Sequence, residues 1–200
     1  MVTSQSGNSL HKRLVLASSS PRRKELLIEH GYQFDVLPPD DSAEDGLCSG
    51  EMPAEYVARL AYQKALNVAK QVEDGIVIGC DTVAEIQGQV LEKPVDESHA
   101  RRMLQTMSGK PHRVLSGICV VEKPSNKSKV DVVVTQLEMD ELTETMLDEY
   151  LETDLWIGKA GAFGLQDGVD WVRVVSGSES NVVGLPMERL GELLNEFQTN

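Results

Sequence analysis

Two hundred residues suit one sizeable domain, and a hydrophobic content of 40% is ordinary for a globular chain. The formal net charge of −13 argues against general binding to nucleic acid or to an anionic membrane. An anionic substrate would then need a local cluster of cations, a metal ion, or both. Cys48, Cys80 and Cys119 have no zinc-like spacing and are odd in number for disulfides, which suits a reducing cytoplasm. No apolar run approaches a membrane span, and residues 1–10 read as a polar, flexible tail ahead of a single domain over 11–200.

The first informative stretch is Leu14-Val15-Leu16-Ala17-Ser18-Ser19-Ser20-Pro21-Arg22-Arg23-Lys24-Glu25-Leu26-Leu27. Its four apolar residues read as a buried strand, the serines as a tight loop, and Pro21 onward as a helix capped by Ser20. A helix start offers unpaired amides and the positive end of the dipole, which suits a phosphate. Arg22 and Arg23 stand in that first turn, where the dipole disfavours cations, and the conflict points to an anion site. An ordinary solvated helix start is the competing reading.

Tyr32 to Leu37 follows as a short strand, and Pro38 to Gly46 as an acidic loop. Pro53 opens a helix to about Gln71 with an apolar stripe of Val57, Leu60, Ala61, Ala65 and Val68. Lys64 falls on that stripe. It either snorkels from the edge or is delivered from the packed face into a cleft, and the rarity of buried unpaired lysines favours the cleft. Ile76 to Val83 is an apolar central strand with Asp81 near its end, where α/β sheets place ligands. A turn cap is the other role open to Asp81. Ala84 to Leu91 reads as a hairpin about Gln87-Gly88, and Glu92-Lys93-Pro94 as an extended exit presenting Lys93.

Asp96 caps a helix with Ala100, Met103, Leu104 and Met107 inward, closed by Gly109. Arg113 to Val121 and Val130 to Leu137 form a hairpin, and Glu138 to Leu151 an acidic helix over Leu142, Met146, Leu147 and Tyr150. None of the scattered histidines, His11, His30, His99 and His112, has ligand spacing. The segment Gly158 to Gly168 is glycine-rich, so backbone can approach a ligand closely, and Gln166 offers a paired donor and acceptor that can read a base edge. Trp171 to Val175 is a further strand, and Asn181 to Pro186 leads into a last helix with Leu190, Leu193, Leu194 and Phe197 inward.

Six separated segments together resemble the Maf family of nucleoside triphosphate pyrophosphatases. They are Ala17 to Arg23, Arg59 to Ala65, Gly79-Cys80-Asp81-Thr82, Lys93-Pro94, Lys159 to Gln166 and Val183-Gly184-Leu185-Pro186. The resemblance runs from about Leu14 to Phe197. It implies an inosine-triphosphate-pyrophosphatase type of α/β fold: a long, mixed, curved β-sheet, flanking helices and a central cleft. It also implies cleavage of a nucleoside triphosphate between the α and β phosphates by water, with Mg2+ or Mn2+.

On that resemblance Ser18, Ser20, Arg22, Lys64, Lys93 and Lys159 hold the phosphates. Asp81 is the general base or metal-linked acid, supported by Glu44, then Asp40. Arg22, Thr82 and Gln166 match the branch acting on dTTP and UTP rather than the 7-methyl-GTP branch. Gly158 and Glu92 depart from the family, which has aspartate and glycine there, and Glu92 is expected to weaken phosphate binding slightly by repulsion. A house-cleaning role, a homodimer and a cytoplasmic location are further implications of the family. The alternatives are a 7-methyl-GTP pyrophosphatase and a nucleotide-binding regulator of cell division.

Overall fold

The computed structural model describes residues 12–43 and 46–198. The expected N-terminal tail and Glu44 therefore lie outside the described residues. The strands are β1 (Leu14–Ala17), β2 (Phe34–Val36), β3 (Gly75–Ile86), β4 (Gln89–Leu91), β5 (Pro111–Lys123), β6 (Ser128–Met139) and β7 (Val172–Ser176). The helices are α1 (Pro21–Glu29), α2 (Pro53–Ala69), α3 (Glu97–Met107), α4 (Glu144–Leu151), α5 (Glu179–Val183) and α6 (Met187–Gln198).

One mixed sheet runs in the order β2-β1-β3-β5-β6-β7, with β4 paired to β3. The β2-β1-β3 pairs are parallel and the β3-β5-β6-β7 pairs antiparallel. Successive strand residues point to opposite faces, and both faces are buried here. Leu14, Leu16, Ile76 and Ile78 pack with Leu27 of α1 and Leu190 and Leu193 of α6. Val15, Ala17 and Val77 pack on the other face against Ala61, Ala65 and Val68 of α2. A separate core joins Ala84 and Ile86, further along β3, to α3, α4 and Phe163. The polar pair Asp81-Thr82 interrupts β3 between these cores.

Helix α2 lies unusually close to the sheet because β3 and β5 carry glycines beneath it. A Cβ on Gly79 would collide with the Ala61 carbonyl and, at 2.7 Å, with the Ala65 amide nitrogen. A Cβ on Gly117 would collide with the Val57 carbonyl and, at 2.7 Å, with the Ala58 nitrogen. Only glycine permits that approach.

Several boundaries differ from the sequence reading. Asp81 is mid-strand, since β3 continues to Ile86 before its hairpin at Gln87-Gly88. Glu138 and Met139 extend β6, and α4 starts later because Thr143 caps it, accepting from the Met146 amide. The segment from Asn181 contains the end of a short helix, α5, rather than a plain lead-in. Asp96 caps α3 as expected, its carboxylate accepting from the His99 amide at 2.7 Å.

Candidate active site

The register of β3 explains where the site is. On one edge β3 pairs with β1 up to Ala17↔Gly79, and with β4 from Ala84↔Leu91. Between those partners, Cys80 to Val83 face a gap in the sheet edge. A cleft of about 310 Å³ opens there, and the start of α1, α2, the exit of β4 and the glycine-rich segment all reach it.

Asp81 and Thr82 leave β3 on opposite faces. On the α2 side, Lys64 Nζ meets Asp81 Oδ1 at 2.6 Å, with side chains only 7% and 13% exposed. Lys64 is thus delivered from the packed stripe into the cleft. On the other side, Thr82 Oγ1 accepts from Arg23 Nη2 at 3.2 Å, donates to the Gly184 carbonyl at 3.2 Å, and lies within hydrogen-bond distance of Ser116 Oγ at 2.7 Å. The hydroxyl holds Arg23 and the Gly184 turn together. Cys80 beside them is buried, its Sγ 3.3 Å from the Gly184 carbonyl, and burial pushes its thiol pKa up, as for a packing cysteine.

The two arginines of α1 reach opposite walls. Arg23 also donates from Nε to the Gly184 carbonyl at 2.7 Å and from Nη1 to Ser18 Oγ at 3.1 Å. Arg22 donates from Nη2 to the Gly158 carbonyl at 2.8 Å. Burial, and then the charge of Arg23, hold the Arg22 guanidinium below its ordinary pKa. An anion between them relieves that cost. Ser20 occupies the N-cap position, but its side chain makes no capping bond; its own amide donates to Ser18 Oγ at 3.2 Å. The first turn of α1 lines the cleft and carries no side-chain cap, an arrangement that suits an anion. Among the described residues lining the cleft, Arg22, Arg23, Lys64, Lys93 and Lys159 stand against one acid, Asp81. The cleft is locally positive on a chain of net charge −13.

The glycine-rich segment forms the facing wall through two short 3₁₀ turns, Ala160–Ala162 and Leu165–Asp167. Its Lys159 lines the cleft, but the ammonium is ion-paired with Asp167, which also accepts from the Tyr150 hydroxyl at 2.8 Å. The Gly161 amide donates to the Glu92 carbonyl at 3.1 Å, joining this wall to the exit of β4 that carries Lys93. The Glu92 carboxylate turns away to accept from the Tyr56 hydroxyl. Burial first, and then that bond, raise the Tyr56 pKa. The side chain expected to repel phosphate is engaged elsewhere.

Ser18, Ser20, Arg22, Lys64, Asp81, Thr82, Lys93, Lys159 and Gln166 are therefore brought to one cleft. Asp40 is not: it is exposed, bonded to Asn67, and its loop contributes Pro39 to the lining. Among the described residues no three acids, histidines or cysteines are grouped to hold a metal. The sequence reading placed Arg23 beside Arg22 at an anion site but left it out of the phosphate-binding set, although the misplaced first-turn charge marks both equally. It also missed Asn181, fully buried, whose Nδ2 lies 3.2 Å from the Val114 carbonyl and 3.0 Å from Thr135 Oγ1. That anchor ties α5 to the sheet, so that Val182, Val183 and Gly184 border the cleft.

A mixed α/β sheet, opened along one strand into a cation-lined cleft with one carboxylate, defines a binding site for a polyanionic ligand. The model of the Maf-like protein family matches residues 13–197, and the chain belongs to that family. A dTTP/UTP pyrophosphatase of Rhodopirellula baltica is 52% identical over 196 residues, covering 98% of this chain and 86% of the relative. A dTTP/UTP pyrophosphatase of Vibrio vulnificus is 44% identical over 190 residues, covering 94% of this chain and all of the relative. Among solved structures, a HAM1 protein from Coxiella burnetii superposes with a TM-score of 0.51 at 15% identity, covering 92% and 99% of the two chains. That likeness is one of fold.

Proposed function

We propose that this protein hydrolyses dTTP and UTP to the monophosphate and pyrophosphate. The observation that carries the reading is the locally positive cleft, in which one carboxylate is paired with a buried lysine. The two relatives above, both dTTP/UTP pyrophosphatases, support the substrate class.

In this reading Arg22, Arg23, Lys93 and the first-turn amides of α1 bind the triphosphate and offset the charge that builds on the departing pyrophosphate. Water attacks the α-phosphorus as the bond to the bridging oxygen breaks. Asp81 takes the water's proton on one carboxylate oxygen, while Lys64 holds the other in place. Val114, Phe163 and Val182 supply apolar walls beside the Gln166 amide, a place for a flat base. Asp81 alone is no cage for a metal, but Mg2+ is commonly held by one or two carboxylates together with substrate phosphates, and the site fits that mode. Such an ion, when bound, polarises phosphoryl oxygens and lowers the pKa of water. Asp81 would be its protein ligand here, with Glu44, on the family resemblance, as the candidate for a second. A cytoplasmic homodimer and a house-cleaning role belong to the same reading, on the family likeness alone.

The test is pyrophosphate release from dTTP, UTP, CTP, 7-methyl-GTP and the purine triphosphates, with and without Mg2+ or Mn2+. Metal-requiring release from dTTP and UTP is expected. Preference for 7-methyl-GTP would overturn the substrate, and binding without release from any nucleotide would overturn the reaction.

A further inference from the structure

Arg23 is held at three points, all of them neutral oxygens. Nε donates to the Gly184 carbonyl at 2.7 Å, Nη1 to Ser18 Oγ at 3.1 Å and Nη2 to Thr82 Oγ1 at 3.2 Å. A guanidinium has five N–H groups, so two remain, one on each terminal nitrogen. An arginine anchored on a carboxylate spends its charge there. One anchored on neutral oxygens keeps it for an incoming anion.

The Thr82 anchor has a support of its own. Thr82 and Ser116 stand directly opposite one another in the register of β3 and β5, with hydroxyl oxygens 2.7 Å apart. Ser116 is fully buried and stands behind the cleft lining rather than in it. A hydroxyl buried in that way is costly unless it is bonded. Its second partner is the Asn181 carbonyl, 3.4 Å from Ser116 Oγ. Thr82 has a single hydroxyl proton. With that proton on the Gly184 carbonyl, Ser116 is the donor across the 2.7 Å contact. With the roles reversed, Ser116 passes its own proton on to the Asn181 carbonyl. Both arrangements run through Ser116, and both leave a Thr82 lone pair for Arg23.

We propose that Ser116 is a positioning residue for Arg23, fixing through the Thr82 hydroxyl the angle at which that guanidinium meets a phosphate. This rests on the triphosphate reading above, from which it takes only that the cleft binds phosphate. The Thr82 hydroxyl is a rotor, and the bond to Ser116 stops it. Without that bond the rotor is left with the longer contacts to Arg23 and Gly184, both 3.2 Å. A guanidinium set before the anion arrives loses less freedom on binding, and that saving appears as affinity.

The experiment measures the dissociation constant of inorganic pyrophosphate by calorimetry, and kcat and KM for UTP. The proteins are wild type, Ser116→Ala, Thr82→Val and the double variant. Ser116→Ala should weaken pyrophosphate binding and raise KM roughly 3- to 10-fold, with kcat changed by no more than about 2-fold. That split separates positioning from a general loss of structure, which lowers the active fraction and therefore kcat at constant KM. Thr82→Val, which removes the anchor itself, should weaken binding by at least as much. In the double variant Ser116→Ala should add nothing, because its effect passes through the Thr82 hydroxyl. Unchanged pyrophosphate affinity in Ser116→Ala, a loss confined to kcat, or losses that multiply in the double variant would overturn the proposal. If Ser116→Ala fails to fold, unchanged affinity in Thr82→Val overturns it equally. Wild type that binds pyrophosphate but releases none from UTP would instead sink the hydrolysis reading, and the affinity comparison would still decide the role of Ser116.

Discussion

Along one side of the cleft, Arg23, Lys64 and Asp81 stand on α1, α2 and β3, elements whose other residues fill the main cores. Along the other, Gly158, Lys159 and Gln166 stand on a segment with no regular element longer than a single 3₁₀ turn. The first wall is positioned by packing, and the second by the buried Ala162 and Phe163 together with side-chain bonds, chiefly Lys159 and Tyr150 on Asp167 and Arg22 on Gly158. Charge neutralisation at phosphorus needs groups that do not shift as charge develops, and a packed framework provides that.

Changes on the packed wall should cost the most. Asp81→Asn keeps the shape of the side chain but cannot take a proton, and turnover should fall on the order of 10³-fold, read by pyrophosphate release. Lys64→Met removes the cation from a buried pair. It should lower turnover by about 100-fold and destabilise the fold by about 3 kcal/mol in urea denaturation, because the Asp81 carboxylate is left uncompensated. If Lys64→Met leaves stability untouched, the pair is wetter than its burial indicates.

The smallest effect belongs behind the other wall. His112 is 2% exposed and meets Phe163 edge-on, with ring centroids 5.4 Å apart. Burial holds its pKa below the ordinary 6.5, so the folded protein keeps the ring neutral. Above pH 6.5 both states are neutral there and nothing is lost. As pH falls below 6.5 the unfolded chain takes up a proton first, and stability declines until the folded-state pKa is reached. Melting curves across that window should flatten in His112→Phe, and an unchanged slope would remove His112 from the account.

The packed wall was also the legible one. Lys64 on an apolar stripe, two arginines in a first helical turn and an aspartate within an apolar strand each break a local rule, and each lines the cleft. The strands and most helices followed from the same periodicities. On the facing wall the glycine-rich run, Lys159 and Gln166 were legible, but the bonds that hold them were not. Tyr150 and Asp167 meet across 17 residues through the packing of α4 against the glycine-rich segment, and no spacing records that contact. The acidic loop was read for its carboxylates, yet Asp40 turns to Asn67, a partner 27 residues away that composition cannot reveal.

The bare Cα atoms of Gly79 and Gly117 set the height of α2 above the sheet, and with it the reach of Lys64 to Asp81. The reactive pair is therefore gauged by two absent methyl groups. A carbon added at either position acts as a shim beneath the helix, lifting the ammonium from the carboxylate while every polar residue of the cleft is still present. Two positions that touch no ligand thus set a manufacturing tolerance for the chemistry, and a survey of cleft residues alone would never find it.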